Sequence, residues 1–456
     1  MSAVTRPTRA IVVGAGMAGL LAARALADHA DSVLLLERER LRDVPEPRAH
    51  VPQGRHGHVL LSSGEERMAT WFPGLRDELT GLGAVRVDGT GASWYQAGGF
   101  RVRGDWGADA VSLTRPLLET TLRRRVRGLA RVELRDGVRV DGVTVDRGRV
   151  TGVAVDGRTL PADLVVDCSG RSSRIAHDLE SAAEHRPPVS RVTVDCAYGT
   201  RLLARGSADL DGTTAVVAPT PPVSWRGGTL LPVEGDRWIL SLVGMHADPP
   251  PADDEGYAAF ARSLRVPVLA DVLARTEPLT PVVGYRFPSS QRRHHERVPR
   301  PLSGLVFVGD SACSFNPIYG QGMSVAALQV EVLAAAVARL GLDSPELPRR
   351  FHRRAARIID TPWSIAVGLD FLHPRTTGPK PRGTDLLNRY VTKVIHATHV
   401  SLPVTRALSA VQNLQEPPSS LFRPRLMVTV LTEARRSPAE ARRSPAEAGT
   451  GGGRHR

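Results

Sequence analysis

The chain has 456 residues, 41% of them hydrophobic, and a formal net charge of +13. Only Lys380 and Lys393 are lysines; the remaining basic residues are arginines spread along the chain, with nine Phe and six Tyr for stacking, which argues against a nucleic-acid partner. No long unbroken apolar run marks a membrane span, the polar start "MSAVTRPTR" predicts no signal peptide, and Cys168, Cys196 and Cys313 are too far apart for a metal pair or a disulfide framework, so a cytoplasmic, reduced setting is expected.

In chain order, "AIVVGAG" is a β-rich apolar run ending in glycine, "MAGLLAARALADH" has helical spacing, and "SVLLLERE" is a second buried strand ending in acid. Together they predict a strand–turn–helix–strand unit of a parallel sheet. The region to about residue 110 mixes the helix "GEERMATWF" with short strands, and "LTRPLLETTLRRRVRGL" reads as a helix. Residues 131–160, with their D-G turns, read as a β-meander, and "ADLVVDCSG" as another buried strand. Residues 176–285 predict an antiparallel sheet with one helix, "DEGYAAFARSL". "GLVFVGDSA" returns to a buried strand, and "GMSVAALQVEVLAAAVARLG" is a long helix. Two helical stretches follow residue 383. The tail repeats ARRSPAE at 434–440 and 441–447, ends "GTGGGRHR", and is expected to be disordered.

Two glycine-bearing segments carry the chemistry. In the first, Gly14 permits a tight turn, Gly16 lets backbone approach a pyrophosphate, and Gly19 lets helix pack on strand. Glu37, 23 residues after Gly14, stands where a carboxylate would accept hydrogen bonds from ribose hydroxyls and repel a 2′-phosphate, which points to FAD or NAD rather than NADP. In the second segment, "GLVFVGDSACSFNPIYGQGMSVAA", a strand delivers Gly309 and Asp310, and Asp310 can accept a ribityl hydroxyl. Gly320, Gln321 and Gly322 then aim backbone N–H groups at a helix N-terminus, where they suit the flavin edge that carries negative charge when reduced.

With these two segments the sequence resembles the flavoprotein aromatic hydroxylases and epoxidases, whose fold is like that of para-hydroxybenzoate hydroxylase. "VPQGRHGHVL", "PPADDEGYAAFAR", "VTVDCAYGTRL" and "FNPIYGQGMS" look most like the alkene epoxidases of polyether biosynthesis, of the lasalocid and monensin type, bacterial relatives of squalene epoxidase. The resemblance implies an α/β fold in which a Rossmann-like FAD-binding domain of the glutathione reductase type (1–75, 111–175, 286–365) interleaves with an antiparallel-sheet substrate domain (76–110, 176–285). A C-terminal helical region (366–432) and a tail (433–456) complete the expected layout. The implied cofactor set is FAD with O2, and NAD(P)H as donor, direct or through a flavin reductase partner. FAD contacts are expected from Gly14, Gly16, Gly19, Glu37, Arg38, Arg48, Arg55, Arg115, Gly309, Asp310, Gly322 and Met323, with Pro317, Gly320, Gln321 and Gly322 lining the flavin edge. Ser169-Gly170 stands where the family's Asp-Gly turn is usual, so that aspartate's role in nicotinamide handling is not carried over.

The implied activity is epoxidation or hydroxylation of a lipophilic polyketide or terpenoid, with the flavin carrying the reactive oxygen. No base stands out for phenol ionisation, which favours an alkene. An aromatic hydroxylase of a polyketide, an isoprenoid reductase and a non-catalytic FAD-binding protein are the alternatives. A halogenase is disfavoured because no lysine precedes Lys380. His56 and His58 alternate as metal ligands would on a strand, but no third ligand is evident and no metal is expected. The substrate pocket is expected on the sheet of residues 176–285, with Ile239, Leu240, Leu242 and Val243 among its apolar residues. Residues 384–432 are expected to cap that domain, with contact to a membrane surface as the sharper alternative.

Overall fold

The computed structural model describes residues 6–181, 185–221 and 223–436. Its first layer is a five-stranded parallel sheet in the order Leu305–Phe307, Leu164–Asp167, Arg9–Val13, Ser32–Glu37, Val132–Asp136. The central strands are apolar along their middles (residues 10–13, 33–36 and 164–166) because both faces are covered. Helices Met17–Leu26 and Gly322–Leu340 pack on one face through Leu20, Leu21, Val306 and Leu333. The antiparallel strands Gly142–Asp146, Arg149–Val155 and Arg158–Pro161 cover the other through Ile11, Val165 and Val153. Val132–Asp136, expected as the first strand of that meander, instead forms the parallel sheet's edge beside Ser32–Glu37. Its alternating "VELRD" pattern reflects an edge strand buried on one face only, and so mimics an antiparallel strand.

The second layer is an eight-stranded sheet: Cys313–Ser314, Val283–Arg293, Val189–Ala204, Arg237–Met245, Gly227–Val233, Thr214–Val217, Ala92–Gln96, Gly99–Phe100. All neighbours are antiparallel except Thr214–Val217 and Ala92–Gln96. The expected division between 285 and 286 falls inside strand Val283–Arg293. Two helices, Asp254–Arg262 and Val268–Arg275, cover one face where one was expected. Asp253 caps the first, accepting from Gly256 N at 2.7 Å. Strand alternation divides the run 239–243. Leu240 and Leu242 pack under these helices with Tyr257, Phe260 and Leu269, Ile239 joins Leu231 and Val233, and only Val243 of the four lines the large cavity on the opposite face.

Helix Leu347–Asp370 has no counterpart in the sequence reading. Its arginine-rich first half and internal Pro362 hide the 3.6-residue period. It packs on Gly322–Leu340. That helix is long and apolar enough to cross a membrane, with mean hydropathy 1.6, but it is half buried and also contacts Met17–Leu26 and Ser62–Trp71 as a core helix does. Three helices close the described chain, Thr384–Ala397, Leu402–Gln412 and Pro424–Arg436, sharing the cluster Val394, Val404, Leu408 and Val430. The last runs to Arg436, past the expected boundary at 433 and into the first ARRSPAE copy; the rest of the expected disordered tail lies outside the described residues.

Tyr257 ties the covering helices to the sheet: it is fully buried and its hydroxyl donates to the carbonyls of Gly199 (3.1 Å) and Leu240 (3.0 Å). Tyr257→Phe is expected to lower stability by about 1 kcal/mol, read as a lower urea midpoint at unchanged slope.

Candidate functional site

One cavity of about 1440 Å³ runs from the loop after the first strand to the open face of the eight-stranded sheet. At its nucleotide end the three glycines have three different reasons to be glycine. Gly14 has φ +97°, and a Cβ there would sit 2.7 Å from the Cys168 carbonyl oxygen. A Cβ on Gly19 would fall 1.7 Å from the Gly14 carbonyl oxygen, so helix and loop touch. A Cβ on Gly16 would meet nothing within 4 Å, and Gly16 lines the cavity. Glu37, buried at the end of its strand, accepts from Ala15 N at 2.8 Å and Glu39 N at 3.1 Å.

The arginines divide. Arg48 lies 2.7 Å from Glu37, 2.9 Å from Glu39 and 3.6 Å from Glu119, and donates to the Ala15 carbonyl at 3.2 Å. Burial lowers its pKa, but the carboxylates of Glu37, Glu119 and Glu39 outweigh that and raise it. It therefore holds the acids in place around the glycine turn. Arg115 pairs with Glu119 at 2.7 Å and lines the cavity. Arg38 is exposed at the rim, whereas Arg55 is exposed and lies outside the cavity wall.

At the middle of the cavity Gly309 has φ +72° and its N–H donates to Gln329 at 2.7 Å. The next residue, Asp310, makes no side-chain hydrogen bond or ion pair among the described residues. Burial raises its pKa, and Arg115 and Arg171 oppose that. Beyond it, Asn316 begins a short 3-10 turn (Pro317–Tyr319) that ends in Gly320 with φ +67°. Helix Gly322–Leu340 starts immediately after, so its first backbone N–H groups lack intrahelical partners. Cβ atoms on Gly320 or Gly322 would meet open space, and Gly322 and Met323 line the cavity.

These features fit FAD. An open glycine turn beside a buried carboxylate suits an adenosine diphosphate, an unpaired Asp310 suits a ribityl hydroxyl, and unpaired N–H donors at a helix start suit an electron-rich ring edge. Asp167, fully buried, holds the neighbouring turn by accepting from Ser169 N (2.9 Å) and Ser169 Oγ (2.5 Å) and from Ser173 Oγ. It is thus committed to its own turn, through one backbone N–H and two serine hydroxyls.

The far chamber is lined by Val216, Val243, Met245, Phe287, Trp94 and Ile365, among others. Two polar groups stand there: His56, weighed from the sequence only as a metal ligand, and Asp370, which the sequence did not single out. His56 Nδ1 is 2.8 Å from Thr200 Oγ1, whose hydroxyl donates to Ser241 Oγ at 2.8 Å, and Ser241 Oγ also accepts Gly57 N at 3.1 Å. With the Thr200 proton committed, Nδ1–H is the donor and Nε2 is a bare, buried acceptor without a partner among the described residues. Burial, and then Arg55, lowers the His56 pKa to about 4, so the ring is neutral at pH 7. His58 points its Nδ1 at the His56 carbonyl at 2.9 Å, and no cluster of metal-ligating residues occurs among the described residues.

The second group is Asp370, at the end of the helix the sequence reading lacked. Its Oδ1 accepts from Asn316 Nδ2 (2.8 Å) and Tyr319 OH (2.9 Å), while Oδ2 is buried and unpartnered. Burial lifts its pKa to about 7 against those two donors. His56 lies in "VPQGRHGHVL" and Asn316 and Tyr319 lie in "FNPIYGQGMS", but only folding brings residues 56, 200 and 241, or 316, 319 and 370, together.

The sequence profile of the FAD binding domain family matches residues 7–341. Protein Rv3254 of Mycobacterium tuberculosis is 32% identical over 394 residues, 82% of this chain and 82% of that protein. The 6-methylpretetramide 4-monooxygenase of Streptomyces rimosus is 27% identical over 372 residues, covering 75% of this chain and 78% of that enzyme. Among solved structures, 2-methyl-3-hydroxypyridine-5-carboxylic acid oxygenase superposes with a TM-score of 0.62 at 18% identity, over 90% of this chain and 98% of that one. The flavin-dependent brominase Bmp2 gives a TM-score of 0.63 at 15% identity, over 94% and 100%. At such identities these structures are alike in fold.

Two outcomes are expected. Asp310→Asn weakens FAD binding by about tenfold or more, the loss of a charge-assisted hydrogen bond, measured by flavin fluorescence titration of the stripped protein. In the FAD-free protein Asp370 is protonated up to about pH 7, whereas the unfolded chain ionises it near its ordinary value of 3.8. Its contribution to stability is therefore full below about pH 4 and falls as pH rises to about 7. Urea midpoints of the wild type should decline over that window relative to Asp370→Asn, and the difference should level off above it.

Proposed function

Since the chain belongs to the FAD-binding-domain family of flavoprotein monooxygenases, we propose that it inserts one atom of O2 into a lipophilic, conjugated small molecule of the polyketide or terpenoid kind. The observation that carries this reading is one continuous cavity in which the glycine-turn cradle opens onto a largely apolar chamber. For ring hydroxylation the balance is S–H + O2 + NAD(P)H + H⁺ → S–OH + H2O + NAD(P)⁺. FAD, when bound, supplies the oxygen activation.

The chain supplies the rest. Glu37 and Asp310 would hold hydroxyls of the cofactor, and the backbone N–H groups at Gly322 and Met323 would meet its electron-rich edge. Val216, Val243, Met245 and Phe287 exclude water and orient the substrate. His56 Nε2 accepts a hydrogen bond from a substrate hydroxyl, and Asp370, which lines the same cavity, holds a proton near neutrality. These two groups favour an oxygenated ring over a bare alkene, in keeping with the name of the Streptomyces rimosus relative. Alkene epoxidation remains the second reading; the aliphatic wall formed by Val216, Val243 and Met245 favours it.

Purified FAD-loaded protein, with and without an added NAD(P)H-dependent flavin reductase, is expected to consume O2 with NAD(P)H faster when a hydroxylated polycyclic aromatic is added. One ¹⁸O from ¹⁸O2 is expected in the product. Unlabelled product, or NAD(P)H use that does not depend on O2, would contradict the reading.

A further inference from the structure

Arg101 is 3% exposed and lines the far chamber. Its guanidinium lies 4.2 Å above the Trp94 ring and 5.8 Å from that of Trp106. Nη1 donates to Gln412 Oε1 and Nη2 to Gln96 Oε1, both at 2.9 Å. Both acceptors are neutral amides. The Nε–H has no acceptor among the described residues, and no carboxylate among them forms an ion pair with Arg101. Burial alone pulls its pKa down to about 9. A titratable neighbour, His399, is neutral at pH 7: burial lowers its pKa to about 4, its hydrogen bond to the Gln96 carbonyl opposes this, and the charges of His396 and Arg101 add to the lowering.

Three of the other four buried arginines pair with an acid: Arg201 with Asp254, Arg292 with Asp360, Arg293 with Glu180. The fourth, Arg123, makes no ion pair among the described residues either, but it does not line the cavity, and the charges of Glu119 and Asp43 act on it. A buried cation without a counter-charge is costly unless something else supplies the anion. Arg101 is also placed for it. Gln412, which holds Nη1, accepts through its backbone carbonyl from Gln321 Nε2 at 3.4 Å, and Gln321 immediately precedes helix Gly322–Leu340. The guanidinium therefore stands two hydrogen bonds from the loop that faces the cofactor.

We propose that Arg101 binds a delocalised oxyanion of the substrate, a carboxylate or the enolate of a 1,3-dicarbonyl, borne on a conjugated body that packs against Trp94 and Trp106. Nε–H is the donor left without an acceptor among the described residues, and the planar, delocalised guanidinium suits an oxyanion whose charge is itself delocalised. The assignment rests on the oxygenase reading above and narrows it to acidic substrates; a neutral terpenoid alkene would leave Arg101 uncompensated.

Equilibrium dialysis of the FAD-loaded protein at pH 7 tests it with 2-naphthoate, its neutral isostere 2-naphthamide, and 2-acetylcyclohexane-1,3-dione as the enolate probe. An anionic probe is expected to bind at least about tenfold tighter than 2-naphthamide, as a charge-assisted pair is stronger than a neutral one. Which anion binds tells carboxylate from enolate. Arg101→Gln is expected to lose the preference and Arg101→Lys to keep part of it, at wild-type FAD content. Equal binding of anion and amide by the wild type, no binding of any probe, or a preference that survives in Arg101→Gln would overturn the assignment. The wild-type comparison stands even if a variant fails to fold. Selective anion binding by a protein that shows no O2-dependent turnover counts against the oxygenase reading and supports Arg101; turnover without anion selectivity does the reverse.

Discussion

The loop from Cys313 to Gln321 is held from two sides, and the site depends on that. On one side Cys313–Ser314 pairs with strand Val283–Arg293, making the loop's start an edge of the substrate-side sheet. On the other, Asp370 takes hydrogen bonds from Asn316 and Tyr319, tying the loop to the end of helix Leu347–Asp370. Between these anchors the left-handed turn at Gly320 releases the chain into helix Gly322–Leu340 with its first N–H groups unpaired. A shift in either anchor moves the donors that must meet the cofactor edge, and with them the wall of the chamber. The two layers thus meet in one cavity because one short loop belongs to both.

Charge is handled differently at the two ends of that cavity. At the nucleotide end, acids gather around the glycine turn and Arg48 neutralises them, with Glu37 also bonded to the turn's own backbone. The result is a cradle that is rigid before any ligand arrives, so little ordering is left for binding to supply. In the far chamber three polar atoms have no partner among the described residues: His56 Nε2, Asp370 Oδ2 and Arg101 Nε. Buried polar atoms are normally paired, so several unpaired ones around a single space mark where the chain has left bonds for a ligand to make.

The nucleotide half was legible in the sequence because its requirements are local. A turn with φ +97° and a helix touching a carbonyl both demand glycine at fixed spacing, so Gly14, Gly16 and Gly19 announce themselves. Asp310 and the turn at Gly320 are likewise within a dozen residues of one another. The same locality misled elsewhere. Val132–Asp136 looked like a meander strand because an edge strand alternates, and the run 239–243 looked like one pocket wall although alternation sends Leu240 and Leu242 to the other face. Helix Leu347–Asp370 was hidden by Pro362 and its arginines, and Asp370 with it. The groups of the chamber come from residues 56, 101, 200, 370 and 412, which only the tertiary fold assembles, and no spacing rule reaches across such separations.

What fills the cradle decides what this chain can do. Acid release of the bound chromophore from freshly purified protein, separated by chromatography and quantified against chain concentration, tests it most directly. FAD at close to one per chain is expected. FMN, or a protein that stays colourless after incubation with FAD, would contradict it.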